Sequence, residues 1–557
     1  MRGFLRVLVA VLFCGLLSQL IAIPAYLLDK YKPVCSIDLV VAVMVMAALA
    51  KTRLGRPSVW LVSIAWTLVV LFEWARAVGI EAMKQAPLLY DAYFLGTHLY
   101  ILLRDLMGFK ATLMMLGVGG ALLGLGIVSH LMLRWISRGL DALPIRYTAL
   151  FVASIGGLWL AAEETRQIRE RTTLPEAVDI LVRSVEVYQE IKRGVREDVY
   201  EDLAAVELTA KPRVHIYIVE SYGRAILSPP IRDEFVTFRR ALGERFKAAG
   251  WHVSTGLSDA PVMGGRSWLA DATLLSGRTV KYESVYRHLT PRLKDIHSIP
   301  SFFRSRGYRT ILMRPKDKAR PGVELVNHFE FTDTVFHEDL DYRGKSYGWV
   351  EIPDQFALGH IRDVVLPTLG DTPEFVFAHL GSSHIPWDEL PPVVDDWTTL
   401  QDSGRRRNPK DKALTDKEIK FQLGRFKRDA EVRLRRLRPT AENLDDYRAA
   451  IQYSLEVVTQ HVLSMDTPPD LVVVMGDHQP PMYKNSDDFS VPVHVLSKNE
   501  ALLQGFKDRG FSSSILYSRR RDRIRHEGFF SLLVAAMAEA QGVSPPEFRR
   551  AGIEVAK

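Results

Sequence analysis

Five apolar stretches crowd the first 163 residues, and nothing comparable follows them. They run roughly Phe4–Leu28, Val34–Ala50, Val59–Ile80, Ala111–Leu133 and Tyr147–Ala162. Each is near the ~20 residues that a helix needs to cross a bilayer, the second and fifth being short. The expectation is a transmembrane domain of five helices over 1–163. Met1–Leu28 alone could be a signal peptide, but its core is long and four more spans follow, so it reads as an uncleaved first helix. Tyr90–Phe109 reads as a helix lying at the interface. A simple membrane anchor is the plain alternative for the whole region.

Loop basicity sets the orientation. With the N-terminus inside, the inner segments hold Arg2, Arg6, Lys51, Arg53, Arg56, Arg134, Arg138 and Arg146. The longer outer segments hold Lys30, Lys32, Arg76, Lys84, Arg104 and Lys110. An odd number of spans then puts everything after about residue 163 outside the cytoplasm. The net charge of +7 does not contradict this. Between Arg405 and Arg438 there are 14 Lys/Arg and five acids, an excess larger than that of the whole chain. The basic balance is one insertion, 400–440, predicted helical from about Asp416 to Leu437. It faces away from the cytoplasm, which excludes nucleic acid as its partner. Anionic lipid headgroups or an acidic glycan suit it, and so does a solvated helix pair at the rim.

The pattern changes twice more. From Leu174 to Leu208 apolar residues fall at helical spacing (Leu181, Val185, Tyr188, Ile191, Val195, Val199), which predicts an amphipathic linker over 164–210. From Lys211 onward short β-branched runs alternate with helical patterns, which predicts an α/β domain over 211–557. The strand candidates are 214–220, 310–313, 375–379, 471–475 and 491–496. Continuous apolar runs of this kind suit a parallel sheet covered on both faces. The only cysteines are Cys14 and Cys35, so the 211–557 domain has no disulfide and no cysteine nucleophile.

Ligands gather at the carboxyl ends of strands in such sheets. Three ends carry chemistry: Glu220 and Ser221, then His379 and His384, then Asp477 and His478. Carboxylates and imidazoles there are costly to bury alone and suit a divalent metal. His494, inside a later apolar run, reads as structural. Gly264-Gly265-Arg266-Ser267 opens an apolar helical pattern. A hydroxyl at a helix N-terminus sits where an anion is favoured. Taken alone, Ser267 reads first as an N-cap and second as a nucleophile toward phosphate.

Taken in order, Val-Glu-Ser at 219–221, Gly-Gly-Arg-Ser at 264–267, Gly-Ser-Ser-His at 381–384 and Gly-Asp-His at 476–478 resemble the alkaline-phosphatase/sulfatase superfamily. Five spans before an extracytoplasmic domain resemble its lipoteichoic acid synthases, phosphoglycerol transferases and phosphoethanolamine transferases. Gly348-Trp-Val-Glu-Ile-Pro-Asp-Gln-Phe356 is similar to that group's Gly-Trp-Gly-x-x-Asp-x-x-Phe segment, with Val350 in place of the third glycine and the Asp-to-Phe spacing one shorter. The resemblance implies a sulfatase-like α/β domain with a mostly parallel central sheet. It implies one divalent metal ion (Mn, Zn or Mg) held by Glu220, Asp477, His478 and Ser267, with Ser267 as the nucleophile where close relatives usually carry Thr. It implies substrate contacts from His384, from Arg320 and from His379. Met313–His328 departs from the family pattern around Arg320, and His379 reads equally as a buried strand residue.

The implied function is transfer of a phospholipid headgroup phosphate, phosphoglycerol or phosphoethanolamine, to a cell-envelope glycan or lipid through a phospho-serine. The implied partners are a membrane phospholipid donor and an envelope acceptor. The implied place is a bacterial inner membrane, multi-pass, with the catalytic domain periplasmic. A phosphoesterase of the same fold and a non-catalytic envelope-binding relative are the alternatives. A formylglycine sulfatase is disfavoured, because Ser267 is followed by neither Pro at 269 nor Arg at 271. The lack of cysteines in the catalytic domain favours the phosphoglycerol side.

Overall fold

The computed structural model describes residues 2–27, 34–49, 52–83, 88, 91, 109–141, 169–194, 198, 200–319, 325–347, 350–387, 389–403, 439–483, 487–516 and 523–552. Within these the chain divides into two units, Met1–Glu186 and Val187–Lys557.

In the first unit, four of the five expected segments are helices: α1 (Arg2–Leu27), α2 (Ile37–Leu49), α3 (Gly55–Met83) and α4 (Phe109–Asp141). Two stretches among the described residues are long and apolar enough to cross a membrane, Gly55–Ala77 and Thr112–Arg138. Leu8–Ile23 and Ile37–Met46 are shorter apolar helices. The fifth expected span, and all of the interfacial segment except Asp91 and Phe109, lie outside the described residues. The helices meet along Cys14, Leu17, Val43, Trp66, Val70 and Leu133. Leu12, Leu16, Leu61, Leu68, Leu116 and Leu123 stay more than half exposed. Water would penalise such a surface, and hydrocarbon would not. Helix α5 (Leu174–Gly194) begins the amphipathic pattern. Its first amides are capped by Asp38 of α2, which accepts from Thr173 N (2.5 Å) and Leu174 N (3.2 Å).

The second unit holds an eight-stranded sheet. In chain order the strands are β3 (Val214–Val219), β4 (His252–Asp259), β5 (Arg309–Arg314), β6 (Asp333–Phe336), β7 (Glu374–His379), β8 (Leu471–Gly476), β9 (Ser490–Ser497) and β10 (Ile524–Arg525). The pair β1 (Val34–Ser36) and β2 (Arg169–Arg171) belongs to the first unit. The order across the large sheet is β10-β4-β9-β8-β3-β7-β5-β6. Only β9 runs antiparallel to its neighbours, so the sheet is mostly parallel. All five expected strands are present. The three that the apolar pattern missed flank them, and β4 (His-Val-Ser-Thr-Gly-Leu-Ser-Asp) shows why. Its polar residues are buried by cover from later chain, and the ring of Phe511 occupies the space where a Cβ on Gly256 would sit.

Alternate residues of each central strand enter two different cores, as the two-residue period requires. One core joins Tyr217, Val219, Val376, Val472 and Val474 to Phe235, Leu242, Tyr447 and Val458. The other joins Ile216, Ile218, Phe375, Phe377 and Val473 to Leu274, Phe303, Phe530 and Leu533. The basic insertion lies outside the described residues from 404 to 438, and Arg320 lies outside them as well.

Candidate active site

Register places the site. Strand β3 pairs β8 with Val219 opposite Gly476, and pairs β7 with Ile218 opposite His379. The residues that follow, Glu220 and Asp477, therefore leave adjacent strands side by side, with His379 next to them. Strand β5 pairs β7 with Met313 opposite Ala378, which brings Arg314 to the same edge. Gly476 is required there, because a Cβ at this position would lie 2.0 Å from the Tyr222 carbonyl oxygen.

The nucleophile candidate arrives from a tight loop. Gly264, Gly265 and Arg266 have φ of 72°, 141° and 67°. Two glycines make the first two cheap, and Arg266 carries strain of the kind that gathers at functional sites. The helix α6 (Ser267–Ser276) then starts with Arg266 as its N-cap residue and with no side-chain cap. The N-cap reading of Ser267 is therefore not met. Its hydroxyl does not cap the helix. Ser267 Oγ lies 3.1 and 3.2 Å from the Glu220 carboxylate oxygens and 3.3 Å from His478 Nε2.

Glu220, Asp477 and His478 are each about 1% exposed and form one group whose ligand atoms are mutually close enough to hold a metal. His478 Nε2 is 3.3 Å from Glu220 Oε1 and 3.3 Å from Asp477 Oδ2. His478 Nδ1–H donates to the Gln479 carbonyl (2.9 Å), which leaves the Nε2 lone pair for a ligand. Asp477 Oδ1 accepts from the amides of Ser221 (2.7 Å) and His478 (2.8 Å). Its Oδ2 has no hydrogen-bond partner. Two adjacent buried carboxylates with an orphan oxygen fit a divalent cation, and the O/N donor set suits Zn or Mn.

The charges support this. Burial would raise the Glu220 carboxyl, but the Lys316 ammonium, with His379, His478 and His384 close by, pulls it well below its usual range. Burial and Glu220 would likewise raise Asp477, yet His478 and His379 hold it low. His379 is fully buried, and its Nδ1 lies 2.8 Å from Asp271 Oδ2. Its Nε2 lies 3.4 Å from Glu220 Oε2 and 3.5 Å from Asp477 Oδ2 without bonding either. Burial would lower its pKa, but Asp271 raises it to about 10.

Four contributors were not anticipated. Lys316 forms an ion pair with Glu220 Oε2. It sits two residues past β5, and inspecting that strand end with the others would have found it. Asp271, one turn after Ser267, holds His379 and is itself held by Arg314 (2.5 Å). The Ser221 amide fixes Asp477. Asp354, within the 348–356 segment, accepts from the amides of Gly381 (2.7 Å) and Ser382 (3.0 Å) and from Ser454 Oγ (2.8 Å). It thereby anchors the turn that carries His384. His384 is half-buried at the rim, with Nδ1 2.5 Å from the Ile385 carbonyl. His494 is structural as expected, bonded to Tyr222 (3.0 Å) and Thr255 (2.9 Å). Asp259 and His297 pair with Arg523 and Asp198, away from this group.

Residues 265–512 match the sulfatase family model. No curated protein matches the chain. Three solved structures are similar in fold. The lipoteichoic acid synthase LtaP from Listeria monocytogenes is 12% identical, with 64% of this chain and 80% of that one covered and a TM-score of 0.35. The Streptococcus pyogenes phosphoglycerol transferase GacH is 15% identical, with 65% and 87% covered and a TM-score of 0.35. The lipooligosaccharide phosphoethanolamine transferase EptA from Neisseria meningitidis is 11% identical, with 96% and 95% covered and a TM-score of 0.44. The family match is confined to residues 265–512, less than half of the chain. Residues 265–512 are similar to the sulfatase family and lie in an α/β domain with a mostly parallel central sheet.

Proposed function

We propose that the protein transfers the phosphate-bearing headgroup of a membrane phospholipid, phosphoglycerol or phosphoethanolamine, to a cell-envelope glycan or lipid through a phospho-Ser267 intermediate. The observation that carries this reading is the Ser267 hydroxyl, half-buried at a helix N-terminus, within 3.3 Å of both Glu220 and His478. A divalent cation bound by Glu220, Asp477 and His478 would lower the pKa of that hydroxyl and offset phosphoryl charge.

Ser267 loses its proton to water on the open side, and Oγ attacks phosphorus. The Oγ–P bond forms, and the bond from phosphorus to the diacylglycerol oxygen breaks. His384 protonates the leaving oxygen. The acceptor hydroxyl then gives its proton to the neutral His384 and attacks phosphorus, the Oγ–P bond breaks, and Ser267 Oγ takes a proton back from water. Lys316 and the first amides of α6 balance the equatorial oxygens. His379, locked by Asp271, orients the two carboxylates, and Arg320 contacts the headgroup. The Asp at 271, where formylglycine enzymes carry Arg, favours this chemistry over sulfate-ester hydrolysis. Two long apolar helices favour a donor in the bilayer.

The test is headgroup release from labelled phosphatidylglycerol and phosphatidylethanolamine. Ser267→Ala should abolish it while the circular dichroism spectrum stays unchanged. Undiminished release would refute the nucleophile assignment.

A further inference from the structure

A second polar site lies in the first unit, where α3 begins and α4 ends. A cavity of about 840 Å³ is lined by Arg53, Arg56, Arg134 and Arg138, with Trp60 and His130 in its wall. Among the described residues no carboxylate lines it. Among the described residues none of the four arginines has a carboxylate partner. Trp60 stacks on His130 with ring centroids 3.9 Å apart, and Ser63 Oγ holds His130 Nδ1 at 3.0 Å. The wall is therefore fixed while the guanidiniums stay free.

Basic residues at the inner ends of membrane helices serve orientation, and lysine would do that as well as arginine. Orientation does not require four guanidiniums to converge on one cavity. Unpaired positive charges held together repel one another, and an anion among them would offset that repulsion. Guanidinium forks match phosphate oxygens two at a time, which an ammonium cannot do. The helical surface beside the cavity is apolar and open, with Leu61 68% and Leu131 56% exposed. A soluble anion has no use for that surface, whereas the acyl chains of a lipid do.

We infer that this cavity binds the phosphate of an anionic phospholipid from the inner leaflet, at a site separate from the catalytic one. The inference rests on Gly55–Ala77 and Thr112–Arg138 being membrane spans, and it does not depend on which headgroup is transferred.

The test uses the full chain in neutral detergent, titrated with short-chain phosphatidylglycerol, phosphatidylcholine or inorganic phosphate, with bound lipid read by native mass spectrometry. Saturable binding of phosphatidylglycerol, at least about tenfold tighter than phosphatidylcholine, is expected. The double variant Arg56→Gln/Arg134→Gln should weaken it about thirtyfold. Arg56→Lys/Arg134→Lys keeps the loop charge, and so the topology, and should still weaken it several-fold through loss of the forks. Both variants should hydrolyse a soluble phosphodiester within twofold of the parent. Binding should persist in Ser267→Ala/His384→Ala protein. Its loss there would assign the signal to the catalytic site and overturn the inference. Equal binding of both lipids, no effect of the glutamines, or inorganic phosphate binding as tightly as the lipid would each overturn it too.

Discussion

Strand β3 has a buried cluster of titratable groups at each end, and the two are built differently. At the amino end, His215 Nδ1 bonds Tyr217 Oη (2.9 Å) and Nε2 bonds Glu374 (3.1 Å). Tyr217 Oη also meets His461 Nε2 at 3.0 Å. These contacts close on one another, and the loose end, His461 Nδ1, borders a cavity of about 390 Å³. At the carboxyl end, Asp477 Oδ2 and His379 Nε2 are both unpartnered and 3.5 Å apart. Buried charge alone therefore does not mark a site. Converging unpartnered polar atoms do, and they occur where loops from successive parallel strands meet.

Removing a ligand should produce the largest contrast. Asp477→Asn, or chelation of the parent protein, should lower turnover by about 10³-fold or more. Metal content by plasma mass spectrometry should fall with it, and adding Mn or Zn should rescue the chelated parent protein only. Full activity after exhaustive chelation would merge the two clusters into one structural class. Next comes Lys316→Met, expected to lower turnover about 10²-fold by leaving phosphoryl charge unbalanced. An unchanged rate would make Lys316 a mere partner of Glu220.

His379→Gln and His215→Gln compare the two ends directly. The first should weaken metal affinity by about 10- to 100-fold in isothermal titration. The second should leave affinity alone and lower stability by about 1–3 kcal/mol, because it strands buried partners. The smallest effect is acid sensitivity. Burial pushes His461 down to about 3, so the folded state binds fewer protons than the unfolded one below pH 6.5. Its stabilising share is complete above pH 6.5 and is lost as pH falls toward 3. Between pH 7.5 and 5.5 the loss is about 1 kcal/mol, and His461→Phe should flatten that slope in denaturant titrations.

Much of this was legible because strand ends are local. A run such as Leu-Val-Val-Val-Met-Gly-Asp-His states both the strand and the residues at its mouth. Glu220, Asp477 and His478 were reached that way, Ser267 from two glycines before an apolar helical pattern, and the structure gathers them. Asp271 was not, because its role depends on a partner 108 residues away, and Lys316, though it follows an expected strand, is not a residue type that marks a metal site. Strand β4 was hidden by its own polarity, since its burial is supplied by Phe511 and the neighbouring strands. The expected five spans rested on composition alone. Among the described residues two stretches meet the length and hydropathy of a span, α1 and α2 hold shorter apolar cores, and the fifth stretch lies outside them.

The most direct measurement is a rapid acid quench of enzyme mixed with donor lipid, followed by peptide mass spectrometry. The account predicts the mass of the headgroup phosphate on the peptide containing Ser267, its disappearance on adding acceptor, and no such mass in Ser267→Ala. Steady turnover with Ser267 never modified, or turnover retained in Ser267→Ala, would contradict it.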